Sequence, residues 1–336
     1  MTTVAIAGYG SAGRGIHGPL FEPAGLTVIG VSTSNPTRAE QVKADFPEAE
    51  VVRDLNALLD LKADVLVLAT PSGDHLDHAT LCLDAGQPVV VDKPLAVDPA
   101  GAALLVERSK TTKTPLTVFQ NRRFDPQHTT LRRLLKDGQL GEVFRHEFRW
   151  ERWRPEPKDR WRENASAADG GGLLLDLHSH LVDASIDLFG PVERVFAQVA
   201  ARSTRAEDDA FVVCEHAGGV TSHLSATSLA GAPGPRLRVL GRAGTYLLDD
   251  FEEEPSVYPD LRHQDGQSGW LVRGDVREPV QAEPADQADF YRAVAAALGS
   301  ADPQGAMPVD PADAVHVLEV IDAARRSAAE HQVISL

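Results

Sequence analysis

From Thr3 to about Gln120 short β-branched runs alternate with amphipathic stretches of helical length. The apolar runs are Val4 to Ala7, Thr27 to Val31, Val65 to Ala69, Val89 to Val91 and Leu116 to Phe119, with helical candidates such as Asp74 to Ala85 and Pro99 to Lys110 between them. Near-continuous apolar strands separated by helices predict a parallel sheet covered on both faces, a doubly wound unit. After Gln120 the grammar changes. A helix is predicted over Pro126 to Lys136 and a strand over Glu142 to Trp150, followed by a loop rich in Arg, Trp and Pro from Glu151 to Asn164. A glycine triplet, Gly170 to Gly172, then precedes one long apolar segment, Leu173 to Phe189, stopped by Gly190-Pro191. Strand patterns follow at Val192 to Ala201, Ala210 to His216, Val220 to Ala226, Arg236 to Leu240 and Thr245 to Leu248. Strands without intervening helices predict an open, largely antiparallel sheet in an α+β domain. Glu252 to Gln281, polar and rich in Gly and Pro, reads as a surface loop, and helices over Asp286 to Leu298 and Pro311 to Ala329 complete the pattern. The fold class is thus α/β: a Rossmann-like domain over 1–121 and an α+β domain over 122–336. A chain of 336 residues is longer than one core usually serves, which agrees with two domains.

Composition narrows the partners. Hydrophobic residues make up 43% and charged residues 24%, the balance of an ordinary globular protein, and the net charge is −16. So acidic a surface repels phosphate backbones and anionic membranes, which argues against nucleic-acid or lipid partners. Cys82 and Cys214 are too few for a disulfide framework or a thiolate metal site and read as small buried thiols. Met1 leads straight into the first strand with no basic stretch, apolar run or cleavage site, so a cytoplasmic location is expected.

Gly8-Tyr9-Gly10-Ser11-Ala12-Gly13 matches G-x-G-x-x-G, follows the first strand and opens a helix. In that context Gly8 permits the tight turn, Gly10 lets the backbone approach a pyrophosphate, and Gly13 lets helix and strand pack closely. The helix N-terminus offers free N–H donors to phosphates. A second strand that grips the ribose 2′-hydroxyl of NAD ends in an acid; here Thr27 to Val31 runs into Ser32-Thr33-Ser34-Asn35, with Arg38 a turn further on. Hydroxyls and an arginine suit a 2′-phosphate, so NADP is expected ahead of NAD. Lys93, in Val91-Asp92-Lys93-Pro94, stands at the carboxyl end of a parallel strand, where a lysine can stabilise a carbonyl oxygen as it becomes an alkoxide.

Two periods compete within Leu173 to Asp183. With period two, Asp176, His178 and His180 share a strand face and resemble a metal cluster, as in a metal-dependent hydrolase. As a helix, Asp176, His180, Asp183 and Asp187 form one polar seam and His178 points away. The unbroken length to Phe189 favours the helix. Asp176 beside His180 would orient the ring and favour its protonated form, which suits an acid/base group.

These elements, in this order, resemble the glucose–fructose oxidoreductase/inositol dehydrogenase/MocA family, within it members of the NADP-dependent scyllo-inositol dehydrogenase type. The likeness rests on the G-Y-G-S-A-G loop, Thr70 to His75, Val91 to Pro94, Phe119 to Asp125, Arg160 to Glu163, Gly170 to Asp183 and Gly241 to Thr245. It implies an oxidoreductase in which Lys93, Asp176 and His180 meet at the nicotinamide, His180 acts as proton donor or acceptor, and Lys93 steadies the reacting oxygen. It further implies that Thr70, Pro71, His75, Asp92 and the Asn121-Arg122-Arg123 stretch, Asn121 and Arg123 above all, lie against the cofactor. Trp161 and Arg162 would reach the substrate, and the open sheet would build a homodimer or homotetramer with no metal required. Asp92 stands where the family more often has glutamate, and His178 where glycine is usual. The expected activity is hydride transfer between NADP and a polyol, inositol or sugar. The alternatives are an NADP-binding regulator without turnover and the hydrolase built on Asp176, His178 and His180.

Overall fold

The computed structural model describes residues 1–157, 164–166, 170–249, 261 and 265–336. They divide into two compact units, Met1–Asn121 with Gln287–Val315, and Arg122–Asp286 with His316–Leu336. The first unit thus takes in a late segment that the 121/122 division assigned to the second. Side-chain packing between distant residues is the cause. Phe290 and Tyr291, on the helix Ala288–Leu298, pack against Phe21 and Phe119. The Gln304 amide pairs with both backbone groups of Leu116, at 2.8 and 3.1 Å.

In the first unit β1 (Thr2–Ala7), β2 (Leu26–Ser32), β3 (Glu50–Val52), β4 (Val65–Leu68), β5 (Val89–Asp92) and β6 (Leu116–Phe119) form a sheet of order β3-β2-β1-β4-β5-β6. All neighbours pair in parallel. Short β3 carries too few apolar residues to register in the sequence pattern. The order reverses between β1 and β4, so the loops leaving those strands border the crevice where open α/β sheets bind ligands. Helix starts follow local chemistry. Asn35, Asp54 and Asp98 cap the helices beginning at Pro36, Leu55 and Pro99 by accepting from the N–H three residues on, and proline occupies the first helical position twice.

The second unit is built on β7 (Val143–Glu151), β8 (Val192–Ala200), β9 (Asp209–His216), β10 (Thr221–Thr227), β11 (Leu237–Gly241), β12 (Gly244–Leu248), β13 (Gln267–Arg273), β14 (Val276–Gln281) and β15 (Ile334–Ser335). Their order is β14-β13-β12-β11-β7-β10-β9-β8-β15, antiparallel throughout except for the parallel β7–β10 pair. Helix Pro126–Lys136 lays Leu131 and Leu134 on Leu237, Val239, Tyr246, Leu248 and Leu271. One expectation fails here. The end of the segment taken as a surface loop forms the β13–β14 hairpin, because Gly274 at φ +61° makes a tight turn and Leu271 and Val280 bury on the core. Leu173 to Phe189 is helical as expected. It opens in one wide turn, Leu174–His178, continues as Ser179–Phe189, and stops at Gly190, φ +83°.

Candidate active site

Glycine is obligatory at two loop positions. Gly8 sits at φ +91° with its N–H on Ser32 O at 3.1 Å, and a Cβ there would lie 2.7 Å from Ala69 O. A Cβ on Gly13 would lie 2.1 Å from Gly8 O, so the turn closes onto the helix only without one. That helix also begins with a wide turn, Gly13–His17, in which the Gly18 N–H reaches back to Gly13 O. Wide turns of this kind are rare and occur mostly at functional sites; the two among the described residues lie at predicted site motifs. At Gly10 the three atoms nearest an added Cβ all belong to the Arg38 guanidinium, 3.7 to 3.9 Å away. Tyr9, Gly10, Ser11, Arg14 and Arg38 line an open pocket of about 500 Å³. This cradle of bare backbone beside guanidinium groups fits a dinucleotide phosphate.

Arg14 was not anticipated, although its place directly after the third glycine was the available signal. Its Nε donates to Asp45 Oδ2 at 2.6 Å, and the Tyr9 hydroxyl donates to the same oxygen at 2.9 Å. The Arg14 hydrogen bond holds the Asp45 carboxyl below its ordinary range. Arg38 is carried in the first turn of Pro36–Asp45, its N–H capped by Asn35 Oδ1 at 3.1 Å. Thr33 Oγ1 accepts from the Asn35 N–H at 3.3 Å and Ser34 is exposed; neither lines the pocket. Ala12 is half-buried.

At the end of β5, Asp92 Oδ1 accepts from the Lys93 N–H at 2.8 Å, and the Lys93–Pro94 peptide is cis. His75 is held by backbone oxygens on both sides of its ring. Its ring is buried, Nδ1 lies 2.7 Å from Pro94 O and Nε2 3.0 Å from Thr70 O, so it braces the loop carrying Thr70 and Pro71 against the Asp92-Lys93 corner. Asn121 is likewise turned to structure, its Nδ2 donating to Gln287 Oε1 at 2.8 Å.

In the second unit His180 and Asp176 lie on the helix that opens with a wide turn, Asp176 half-buried and His180 buried with its ring 5.8 Å from Trp150. Arg122 and Arg236 stack on the same indole at 5.1 and 4.3 Å. Below them His180, Trp150, His128, His146 and Arg236 enclose a cavity of about 20 Å³, room for roughly one water. Trp150 and Arg236 gave no sequence signal, since one comes from β7 and the other from the residue before β11, far apart in the chain.

Arg123, expected beside the cofactor, is engaged by carboxylates: it makes a two-pronged bond to Asp183, at 2.9 and 2.6 Å, and reaches Asp187 at 3.3 Å, all within the second unit. The polar seam accordingly divides. Asp187 also accepts from His128 and Arg132, at 2.7 and 2.6 Å. Burial alone would raise its carboxyl, but the His128 hydrogen bond and the Arg123 charge outweigh burial and hold it well below the usual range. Asp183, more deeply buried, is raised in spite of Arg123. The hydrolase alternative finds no support. Among the described residues no group of three or more His, Cys, Asp or Glu side chains can hold a metal. His178 points into the core, Nε2 on Leu224 O at 3.3 Å, with burial pushing its ring down to about 4. Trp161 and Arg162 lie outside the described residues.

Comparison with known proteins gives the family. Residues 2–120 match the model of an oxidoreductase family with an NAD-binding Rossmann fold, and residues 128–247 match a GFO/IDH/MocA C-terminal domain. The NADP(+)-dependent scyllo-inositol 2-dehydrogenase IolW of Bacillus subtilis is 30% identical, over 99% of this chain and 95% of that protein. The uncharacterized oxidoreductase YdgJ of Escherichia coli is 34% identical over 99% and 98%. Among solved structures, YPO2259 of Yersinia pestis superposes with a TM-score of 0.84 at 31% identity, covering 100% and 97% of the two chains. An oxidoreductase of Agrobacterium radiobacter, solved with NAD+, L-tartaric acid and magnesium, shares the fold with a TM-score of 0.83 over 99% and 98%, at 18% identity. No helix among the described residues is long and apolar enough to cross a membrane. With a nucleotide cradle on a parallel sheet and both family models matched in order, the chain belongs to the Gfo/Idh/MocA family of NAD-binding oxidoreductases, dehydrogenases that act on CH–OH groups.

Proposed function

We propose that this chain is an NADP-dependent dehydrogenase of a polyol, inositol or sugar. The observation that carries the cofactor preference is the Arg38 guanidinium packed over Gly10, with Arg14 lining the same pocket and no acid ending β2. A guanidinium pairs with a phosphate through parallel charge-assisted hydrogen bonds, whereas a carboxylate there would repel it. The kinship with an NADP(+)-dependent scyllo-inositol dehydrogenase points the same way.

Bound NADP supplies the hydride acceptor or, in reverse, the donor. The protein's share is to hold and orient it through the loop backbone of Gly8 to Gly13, Arg38 and Asp92, with Thr33, Ser34, Thr70 and Pro71 at the edges of the site. His180 exchanges a proton with the substrate oxygen, Asp176 orients its ring, and the Lys93 ammonium stabilises charge on that oxygen. Trp161 and Arg162 belong to the substrate side of this proposal. Self-association into a dimer or tetramer also belongs to it, and light scattering decides that point.

Fluorescence titration with NADPH and NADH tests the cofactor assignment. Arg38→Ala is expected to weaken NADPH binding by about tenfold to a hundredfold, the worth of a charge-assisted pair, and to leave NADH binding within about twofold. Equal losses for both nucleotides would refute the 2′-phosphate role. An oxidation screen of inositols and sugars with NADP that gave no absorbance change despite tight binding would refute the dehydrogenase reading.

A further inference from the structure

His17 is fully buried at the end of the wide turn that follows the glycine loop. Its ring packs 4.2 Å from Phe119, and its Nδ1 lies 2.5 Å from the hydroxyl of Tyr291. Tyr291 comes from the late segment that returns to the first unit, and is wedged between Phe21 at 4.8 Å and Phe119 at 5.5 Å. On the far side of the imidazole, Nε2 stands 3.7 Å from Asp92 Oδ1. That exceeds hydrogen-bond length, and the buried Nε2 has no hydrogen-bond partner among the described residues. The proton positions follow from the neighbours. Burial and the Asp92 charge keep the Tyr291 phenol protonated, so its O–H donates to Nδ1. With Nδ1 accepting, the ring N–H is placed on Nε2, facing the carboxylate.

Asp92 is the short carboxylate proposed above to grip the cofactor. It is mostly buried, and burial alone would raise it; the facing His17, then Lys93 and His75, hold it ionised instead. We propose that Tyr291 and His17 form a positioning relay that fixes the Asp92 carboxylate for the cofactor's ribose hydroxyls, so that cofactor affinity depends on a phenol almost two hundred residues further along the chain. Neither residue touches the cofactor in this scheme. Both act by fixing the direction and charge of a group that does, which is what supporting residues around a binding site supply. The inference rests on the ribose role of Asp92 in the proposed function.

The test is a set of NADPH titrations on the full chain, each variant's unfolding midpoint being recorded beside its dissociation constant. Tyr291→Phe removes one oxygen and keeps the ring packing. It is expected to weaken NADPH binding by about fivefold to twentyfold, as is His17→Asn, whose amide stops at the Nδ1 position. His17→Gln carries an amide donor to the Nε2 position and is expected to recover binding to within about threefold of the unaltered protein. Asp92→Asn should lose at least as much, and adding Tyr291→Phe to it should cost nothing further, since the two act on one group. Full additivity in that double variant, or unchanged affinity in Tyr291→Phe while Asp92→Asn is impaired, would overturn the relay alone. Unchanged affinity in Asp92→Asn would remove the ribose role itself, and the relay with it.

Discussion

Replacing Arg123 with methionine separates a structural arginine from a cofactor ligand. The guanidinium is only 7% exposed and its partner Asp183 only 2%. Methionine keeps the apolar stem but strands the Asp183 carboxylate, while Asp187 retains His128 and Arg132. Removing one partner of a buried pair costs about 3–5 kcal/mol, which in a chain of this size lowers the melting temperature by roughly 10 °C. The loss has a pH signature with a definite sign. Without Arg123 the Asp183 pKa, already raised by burial, rises further above its unfolded value, so the folded state binds more protons in the window between the two values. Stability of the variant then falls as pH rises through that window, by up to about 1.4 kcal/mol per pH unit. Urea unfolding at pH 5.5 and 7.5 measures this, and the deficit relative to the unaltered protein should be smaller at pH 5.5. NADPH affinity, read by fluorescence in the same samples, should stay within about twofold. A loss of affinity beyond about tenfold with an unmoved unfolding midpoint would refute the reasoning and return Arg123 to the cofactor site.

Two further outcomes follow from the site. His180→Ala and Lys93→Met are expected to lower turnover by about a hundredfold or more while leaving the NADPH dissociation constant within about threefold; single-turnover absorbance and fluorescence titration check the two halves, and parallel loss of both would contradict the assigned roles. His178, pushed down to about 4 by burial, binds fewer protons folded than unfolded between that value and its ordinary 6.5. Its contribution is therefore complete above pH 6.5 and lost as pH falls towards 4, on the order of 3 kcal/mol. His178→Leu should flatten this part of the acid limb in denaturation between pH 7 and 4, and an unchanged slope would count against a neutral core histidine.

Strand-by-strand periodicity and the glycine spacing made the parallel unit, the antiparallel sheet and the nucleotide loop legible, because each depends on neighbours close in sequence. A Gly8 held at φ +91° and a Gly13 whose Cβ would strike Gly8 O leave marks in composition. So does a helix too long to be a strand, and Leu173 to Phe189 was read correctly for that reason. Partner choice at a distance leaves no such mark. The pattern that aligned Asp183 and Asp187 with His180 could not reveal that Arg123 and His128 neutralise them. Nor could it foresee that His75 braces two backbone carbonyls, that Arg236 from β11's approach stacks on Trp150 from β7, or that Tyr291 returns to His17. Local sequence sets backbone periods and turn geometry. Which buried charge meets which is fixed only when tertiary packing removes water and each polar group must find a partner inside the protein.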